Sequence, residues 1–117
     1  MEFVRNKAEM EAQDGQMVRA LGTYGIANWG RHRVVFRRPD GSIAHTHLTA
    51  VLKLDDGTYI DVGVRSEEEM EALEHIRVVV TGRLRGIVRP MTHDHAQRLP
   101  WPEFLEVQSI EEWKGEQ

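Results

Sequence analysis

Two His-x-His pairs, His45-x-His47 and His93-x-His95, are the residues whose type and spacing come nearest to a metal site. On an extended chain, side chains two apart project to the same side. Each pair would then offer two imidazoles together, and imidazole is a ligand that zinc takes readily. Asp94 adds a carboxylate inside the second pair. Four unliganded histidines on exposed segments would show the same spacing, and spacing without geometry is weak ground for a site. The expectation is no cofactor, with zinc or another divalent metal on these four histidines as the alternative.

A second constellation joins cations to aromatic rings. Between residues 29 and 54 lie Arg31, Arg33, Arg37, Arg38 and Lys53, against Asp40 alone. Between 77 and 98 lie Arg77, Arg83, Arg85, Arg89 and Arg98, against Asp94 alone. Acids gather elsewhere, at Glu67, Glu68, Glu69, Glu71 and Glu74, and again at Glu103, Glu106, Glu111, Glu112 and Glu116. A single nucleic-acid strand needs cations for its phosphates and aromatic faces for its bases. Tyr24, Trp29, Tyr59 and Trp101 are the aromatic candidates. The plainer reading is a solvated strand face, with Tyr24 in a core and Trp101 over one end of it.

Other chemistries find less support. The sequence holds no Gly-rich phosphate loop, nucleophile elbow or His-Glu-x-x-His. Ser66 is better explained as a helix cap than as a nucleophile, and Asp55-Asp56 as a turn than as a catalytic pair. A non-enzymatic domain is expected. The absence of cysteine excludes disulfides, thiolate metal sites and a cysteine nucleophile. A net charge of −4 argues against coating nucleic acid by bulk charge. No apolar run approaches the ~20 residues that span a bilayer, and the first residues lack a signal-peptide pattern. The expectations are no membrane and a cytoplasmic location.

The chain has 117 residues, 40% apolar and 29% charged, enough for one domain with its own core. Residues 2–14 have helix-forming composition and end at Asp14-Gly15, giving a short helix or loose arm. From Met17 the pattern turns to period two, with Val18, Ala20, Gly22 and Tyr24 on one strand face. Residues 25–30 read as a bend, 31–37 as a renewed strand, and Pro39-Asp40-Gly41-Ser42 as a turn. Residues 43–54 read as the longest strand, with Leu48, Ala50, Leu52 and Leu54 inward.

Asp55-Asp56-Gly57 predicts a hairpin into a strand over 58–64, with Ile60, Val62 and Val64 inward. Ser66-Glu67-Glu68-Glu69 is a capping box, in which Ser66 accepts from the first turn and Glu69 reaches back. The helix it opens ends near His75. A strand over 77–88 buries Val78, Val80, Gly82 and Leu84, and residues 89–102 form a loop. A closing strand over 103–110 has Leu105, Val107 and Ile110 as its core residues, with a bulge between the last two. Val18 and Gly22 are echoed by Val78 and Gly82. A glycine inside a strand marks a sharp bend, and a small closed barrel needs such bends.

The order strand, strand, strand, helix, strand, strand resembles the OB-fold, a five-stranded Greek-key barrel. Leu54-Asp55-Asp56-Gly57-Thr58 is similar to the hairpin joining the second and third strands of such domains. Val78-Val79-Val80-Thr81-Gly82-Arg83-Leu84 is similar to their fourth strand, and Phe104-Leu105-Glu106-Val107-Gln108-Ser109-Ile110 to their last. The fold expected is thus all-β with one short helix, placed between strands three and four. The domains expected are a helical extension over 1–16, the barrel over 17–112 and a frayed end over 113–117. The resemblance implies binding across strands two and three, flanked by loops near 38–42 and 89–102. The site residues expected for single-stranded DNA or RNA are Trp29, Arg31, Arg33, Arg37, Arg38, Lys53, Tyr59, Arg83, Arg85 and Arg89. The alternative is a protein partner or a second copy of the chain, docked through the acidic helix, the N-terminal arm or a strand edge.

Overall fold

A computed structural model describes residues 3–29, 34–87 and 101–115, with the side chains of residues 34–36 and 45 left out. The elements in chain order are α1 (Lys7–Ala12), β1 (Met17–Asn28), β2 (Val34–Arg37), β3 (Ile43–Thr46), β4 (Leu48–Lys53), β5 (Tyr59–Gly63), α2 (Glu67–Leu73), β6 (Arg77–Arg85) and β7 (Glu103–Glu112). Five of the strands hydrogen-bond in the closed ring β1-β4-β5-β7-β6, and β2 and β3 form a separate two-stranded ribbon. Among the described residues there are two short helices, where the fold expectation counted one and assigned the other to an extension.

β1 is the strand that joins the two sides of the ring. Its residues from Met17 to Thr23 pair with β6, and those from Thr23 to Asn28 pair with β4. Gly25, expected in a bend, is instead an interior strand residue opposite Val51. The glycine echo has a structural counterpart. Val18 lies opposite Gly82, Gly22 opposite Val78, and Ala20 opposite Val80 between them. Both glycines sit in paired strands where another backbone closes in. A Cβ on Gly22 would collide with the Lys53 carbonyl oxygen, and one on Gly82 with that of Glu106. Lack of a side chain is what lets the strands cross so tightly there.

The core follows the period-two pattern. Val18, Ala20, Tyr24, Ala50, Leu52, Leu54, Ile60, Val62, Val78, Val80 and Leu84 are all buried and form one cluster. β7 departs from expectation. Leu105 is 56% exposed, while Phe104 is buried. The pairing explains it. Thr81 opposes Ser109 but Gly82 opposes Val107, and Arg83 opposes Glu106 but Leu84 opposes Phe104. Gln108 and Leu105 are therefore extra residues in two bulges, and each shifts the strand's phase by one. The bulge between Val107 and Ile110 matches expectation, and the one at Leu105 puts Phe104 inward instead.

The expected long strand over 43–54 is two strands, broken at His47. The Thr46 hydroxyl accepts from the Leu48 amide at 3.1 Å, and the His47 carbonyl accepts from the Trp29 amide at 2.6 Å. A local side-chain bond of this kind competes with the sheet ladder. The ribbon leaves the ring after Asn28 and returns at Leu48, which are paired with each other. At its tip, Asp40 accepts from the Ser42 amide and hydroxyl at 2.9 and 2.7 Å, and Gly41 takes φ +90°.

The N-terminal segment is bound into the ring. Val4 bridges Ala20 in parallel, α1 puts Met10 into the core, and Asp14 accepts from the amides of Gly86 and Ile87. Trp113, expected in a frayed end, donates its amide to Arg77 and packs edge-on against Phe3 at 5.2 Å. The capping box is half realised. Ser66 accepts from the Glu69 amide at 3.1 Å, but the Glu69 carboxylate turns away from the cap. It receives two 2.8 Å bonds from Arg65 and one of 2.7 Å from the buried Tyr24 hydroxyl. A guanidinium fork is the stronger partner for a carboxylate. The Arg65 bonds hold Glu69 below the usual carboxylate range, and burial pushes the Tyr24 phenol up.

Candidate functional site

The outer faces of β1, β4 and β5 carry the most concentrated chemistry. Residues opposite one another in an antiparallel pair point to the same side. Thr23, Lys53 and Tyr59 thus form one row across the three strands, and Gly25, Val51 and Asp61 form the next. A cleft of about 510 Å³ runs along these rows, with Val51, Lys53, Tyr59 and His75 among its walls. On the other side of Tyr59 a second cleft of about 520 Å³ is lined by Lys7, Glu11, Ile87 and Trp101 among others. Tyr59 stands between the two.

Three rings meet at this point. Tyr59 stacks on Trp101 with centroids 5.7 Å apart and planes inclined by 28°. Trp101 in turn meets Trp29 at 4.7 Å and 55°. Tyr59 is 43% exposed and the two tryptophans are half-buried, so the outermost ring rests on the inner two. Aromatic pairs in such offset geometry hold each other in place beyond the area they bury.

Polar groups beneath the rings fix them from below. The Trp29 Nε1–H donates to Thr49 Oγ1 at 2.8 Å, and the Thr49 hydroxyl donates to Asp61 Oδ1 at 2.8 Å. Thr49 is 0% exposed and Asp61 5%. Asp61 also donates its amide to the carbonyl of Pro102, the neighbour of Trp101. Burial pushes the Asp61 carboxyl up to about 6, against the lowering bond from Thr49, and the charge of Glu103 raises it further. Trp101 is tied separately. Arg85 Nη2 donates to the Trp101 carbonyl at 3.2 Å and forms an ion pair with Glu103. Buried, hydrogen-bonded groups of this kind give a site its fixed shape.

The structure divides the expected residues. It brings Trp29, Tyr59 and Lys53 to one face. Arg37 and Arg38 are exposed on the ribbon, where Arg37 donates to the Gly41 carbonyl at 3.0 Å. Arg83 and Arg85 lie on β6 opposite Glu106 and Glu103 of β7, away from Lys53. Arg83 donates to the Gly15 carbonyl at 3.2 Å, and Arg85 serves Trp101 and Glu103. Arg31, Arg33, Arg89, His93, His95 and the side chain of His45 lie outside the described residues. His47 is exposed at the break between β3 and β4. Among the described residues, no group of three or more His, Asp or Glu could hold a metal ion.

Sequence reasoning missed Thr49 and Asp61 as site residues and left Trp101 out of the expected set. One signal was present. Asp61 stands between Ile60 and Val62 in a short apolar strand, where a carboxylate needs a partner. Its partner lies twelve residues away on a neighbouring strand. Among the described residues, no helix is long and apolar enough to cross a membrane. No family model, no curated protein and no solved structure matches this chain.

Proposed function

We propose that the chain is an OB-like Greek-key barrel that binds single-stranded nucleic acid across the outer face of β1, β4 and β5, without catalysing a reaction. The observation that carries this reading is the half-exposed Tyr59 ring, backed by Trp101 and flanked by Lys53. A base can stack on a ring that is already held, so little ordering entropy is lost on binding. Lys53 takes a neighbouring phosphate. Arg37 and Arg38 on the projecting ribbon take phosphates further along, together with Arg31, Arg33 and Arg89. Arg85 pairs with Glu103, and Arg83 donates to the Gly15 carbonyl.

The chain order supports the OB-like assignment. The ring strands β1, β4 and β5 come first, α2 follows, and β6 and β7 close the ring against β1 and β5. The ribbon occupies the place of the loop between the first two barrel strands, which flanks the ligand face in such folds.

The test is fluorescence anisotropy with labelled single-stranded DNA, single-stranded RNA and duplex, read over a salt series. Binding to single strands that weakens steeply with salt is expected, along with quenching of tryptophan emission. Failure to bind any strand at low salt would overturn the reading, as would a Tyr59→Ala variant that binds as tightly as the parent.

A further inference from the structure

β7 is an open edge. Along its length it pairs with β6, but with β5 it shares only the single bridge between Glu103 and Asp61. Among the described residues, no strand other than β6 pairs with residues 105–112. A strand with free N–H and C=O groups is a ready template for another strand. It carries exposed acids at Glu106, Glu111 and Glu112, and its bulge lifts Leu105 to 56% exposure.

The β2–β3 ribbon has the opposite character. Among the described residues its two strands pair only with each other, so both outer edges are open as well. Its tip bears exposed Arg37 and Arg38, and Ile43, which is paired with Arg37, is 52% exposed. Ile43 and Leu105 are the two most exposed large aliphatic side chains described. One stands among arginines and the other beside a glutamate. Scattered exposed aliphatics need no explanation singly, but here each accompanies an open strand edge and charge of opposite sign.

We propose that the ribbon of one copy of this chain adds to the open edge of β7 in a second copy, with Arg37 and Arg38 against Glu106 and Ile43 against Leu105. Main-chain bonds supply the pairing, and the charges fix partner and register. The two surfaces differ, so a twofold dimer makes the contact twice, ribbon to edge and edge to ribbon. This association does not rest on nucleic-acid binding, and because both draw on Arg37 and Arg38, the two would compete for the ribbon.

The experiment is light scattering coupled to size-exclusion chromatography, on full-length protein freed of nucleic acid, over a wide concentration range. Wild type is expected to pass from monomer to dimer as concentration rises, and less readily at high salt. A ribbon variant, Arg37→Glu with Arg38→Glu, and an edge variant, Leu105→Glu, should each stay monomeric. All three substitutions are at exposed positions, and unchanged thermal melts would show that the fold is kept. Mixed in equal amounts, the two variants should form a one-to-one pair, because one intact ribbon then meets one intact edge. Adding Glu106→Arg to the ribbon variant should restore its self-association. A wild type that is monomeric throughout overturns the proposal. So do variants that associate as wild type does, or a mixture that stays monomeric while wild type dimerises.

Discussion

The Thr49 hydroxyl donates to the Asp61 carboxylate over 2.8 Å, with both groups shut away from solvent behind the ring of Trp29. Asp61 is therefore ionised only at a cost. Burial raises its carboxyl to about 6, above the range of an unfolded aspartate. Between about pH 4 and 6 the folded chain holds that proton more tightly than the unfolded one. Stability should fall by about 3 kcal/mol as pH rises through that window, then level off. Urea unfolding of wild type and Asp61→Asn from acid to neutral pH isolates the contribution. The variant's stability relative to wild type should climb between those two values, and a flat difference would show that Asp61 does not titrate there.

Thr49→Val keeps the shape and removes the relay. The variant strips the half-buried Trp29 indole of its acceptor and the buried Asp61 of its donor. Leaving such groups unmet costs about 1–3 kcal/mol. The melting temperature should drop, and tryptophan emission should shift to the red as Trp29 loosens. Strand binding should weaken too, because the platform under Tyr59 is no longer fixed. Unchanged emission would mean that Trp29 is held by ring packing alone.

Tyr59→Ala and Lys53→Ala separate stacking from charge. Loss of the ring should cost about 1–3 kcal/mol of binding at every salt concentration. Loss of the cation should lower affinity at low salt and reduce the magnitude of the salt slope by about one. Lys53 is exposed, so its loss should move the unfolding free energy by about 0.5 kcal/mol or less, and loss of the Tyr59 ring, stacked on Trp101, by about 0.5–1.5 kcal/mol. Two variants with the same salt slope would contradict this division of roles.

Gly82→Ala tests the crossing of β6 over β7. The added methyl meets the Glu106 carbonyl and the Phe104 ring, neither of which can retreat without moving a strand. A loss of about 2–4 kcal/mol is expected from thermal or denaturant unfolding. Gly25→Ala is the control. Its methyl would meet Val51 at an ordinary 3.4 Å, and its loss should be much smaller.

The strand faces were legible in the sequence because alternation survives wherever one side of a strand meets the core. Val18, Ala20 and Tyr24 show this, as do Ile60 with Val62 and Val78 with Val80. The glycine echo was legible for a related reason, since a strand interior has little other use for glycine. The break at His47 was not, because it depends on a bond from Trp29, eighteen positions earlier in the chain. The phase of β7 was only partly legible. One bulge shows as an offset between Val107 and Ile110, but the other exchanges Phe104 for Leu105 with no local mark. The capping box misled over Glu69 because Arg65, four positions earlier, and Tyr24, 45 residues away, compete for the same carboxylate. At the candidate site, Trp29 and Tyr59 were expected by type, Asp61 left its one mark as a carboxylate between Ile60 and Val62, and Thr49 became visible only when the strands were laid side by side.

β1 changes neighbours at Thr23, belonging to β6 before it and to β4 after it. The two halves of the ring are otherwise joined only by the single bridge between β5 and β7, so both depend on the same strand. Loss of that strand removes both seams together. Amide protons near the changeover, such as those of Gly22 and Tyr24, should exchange with solvent only through global unfolding. The ribbon, which hangs from the far end of the same strand, should exchange long before them.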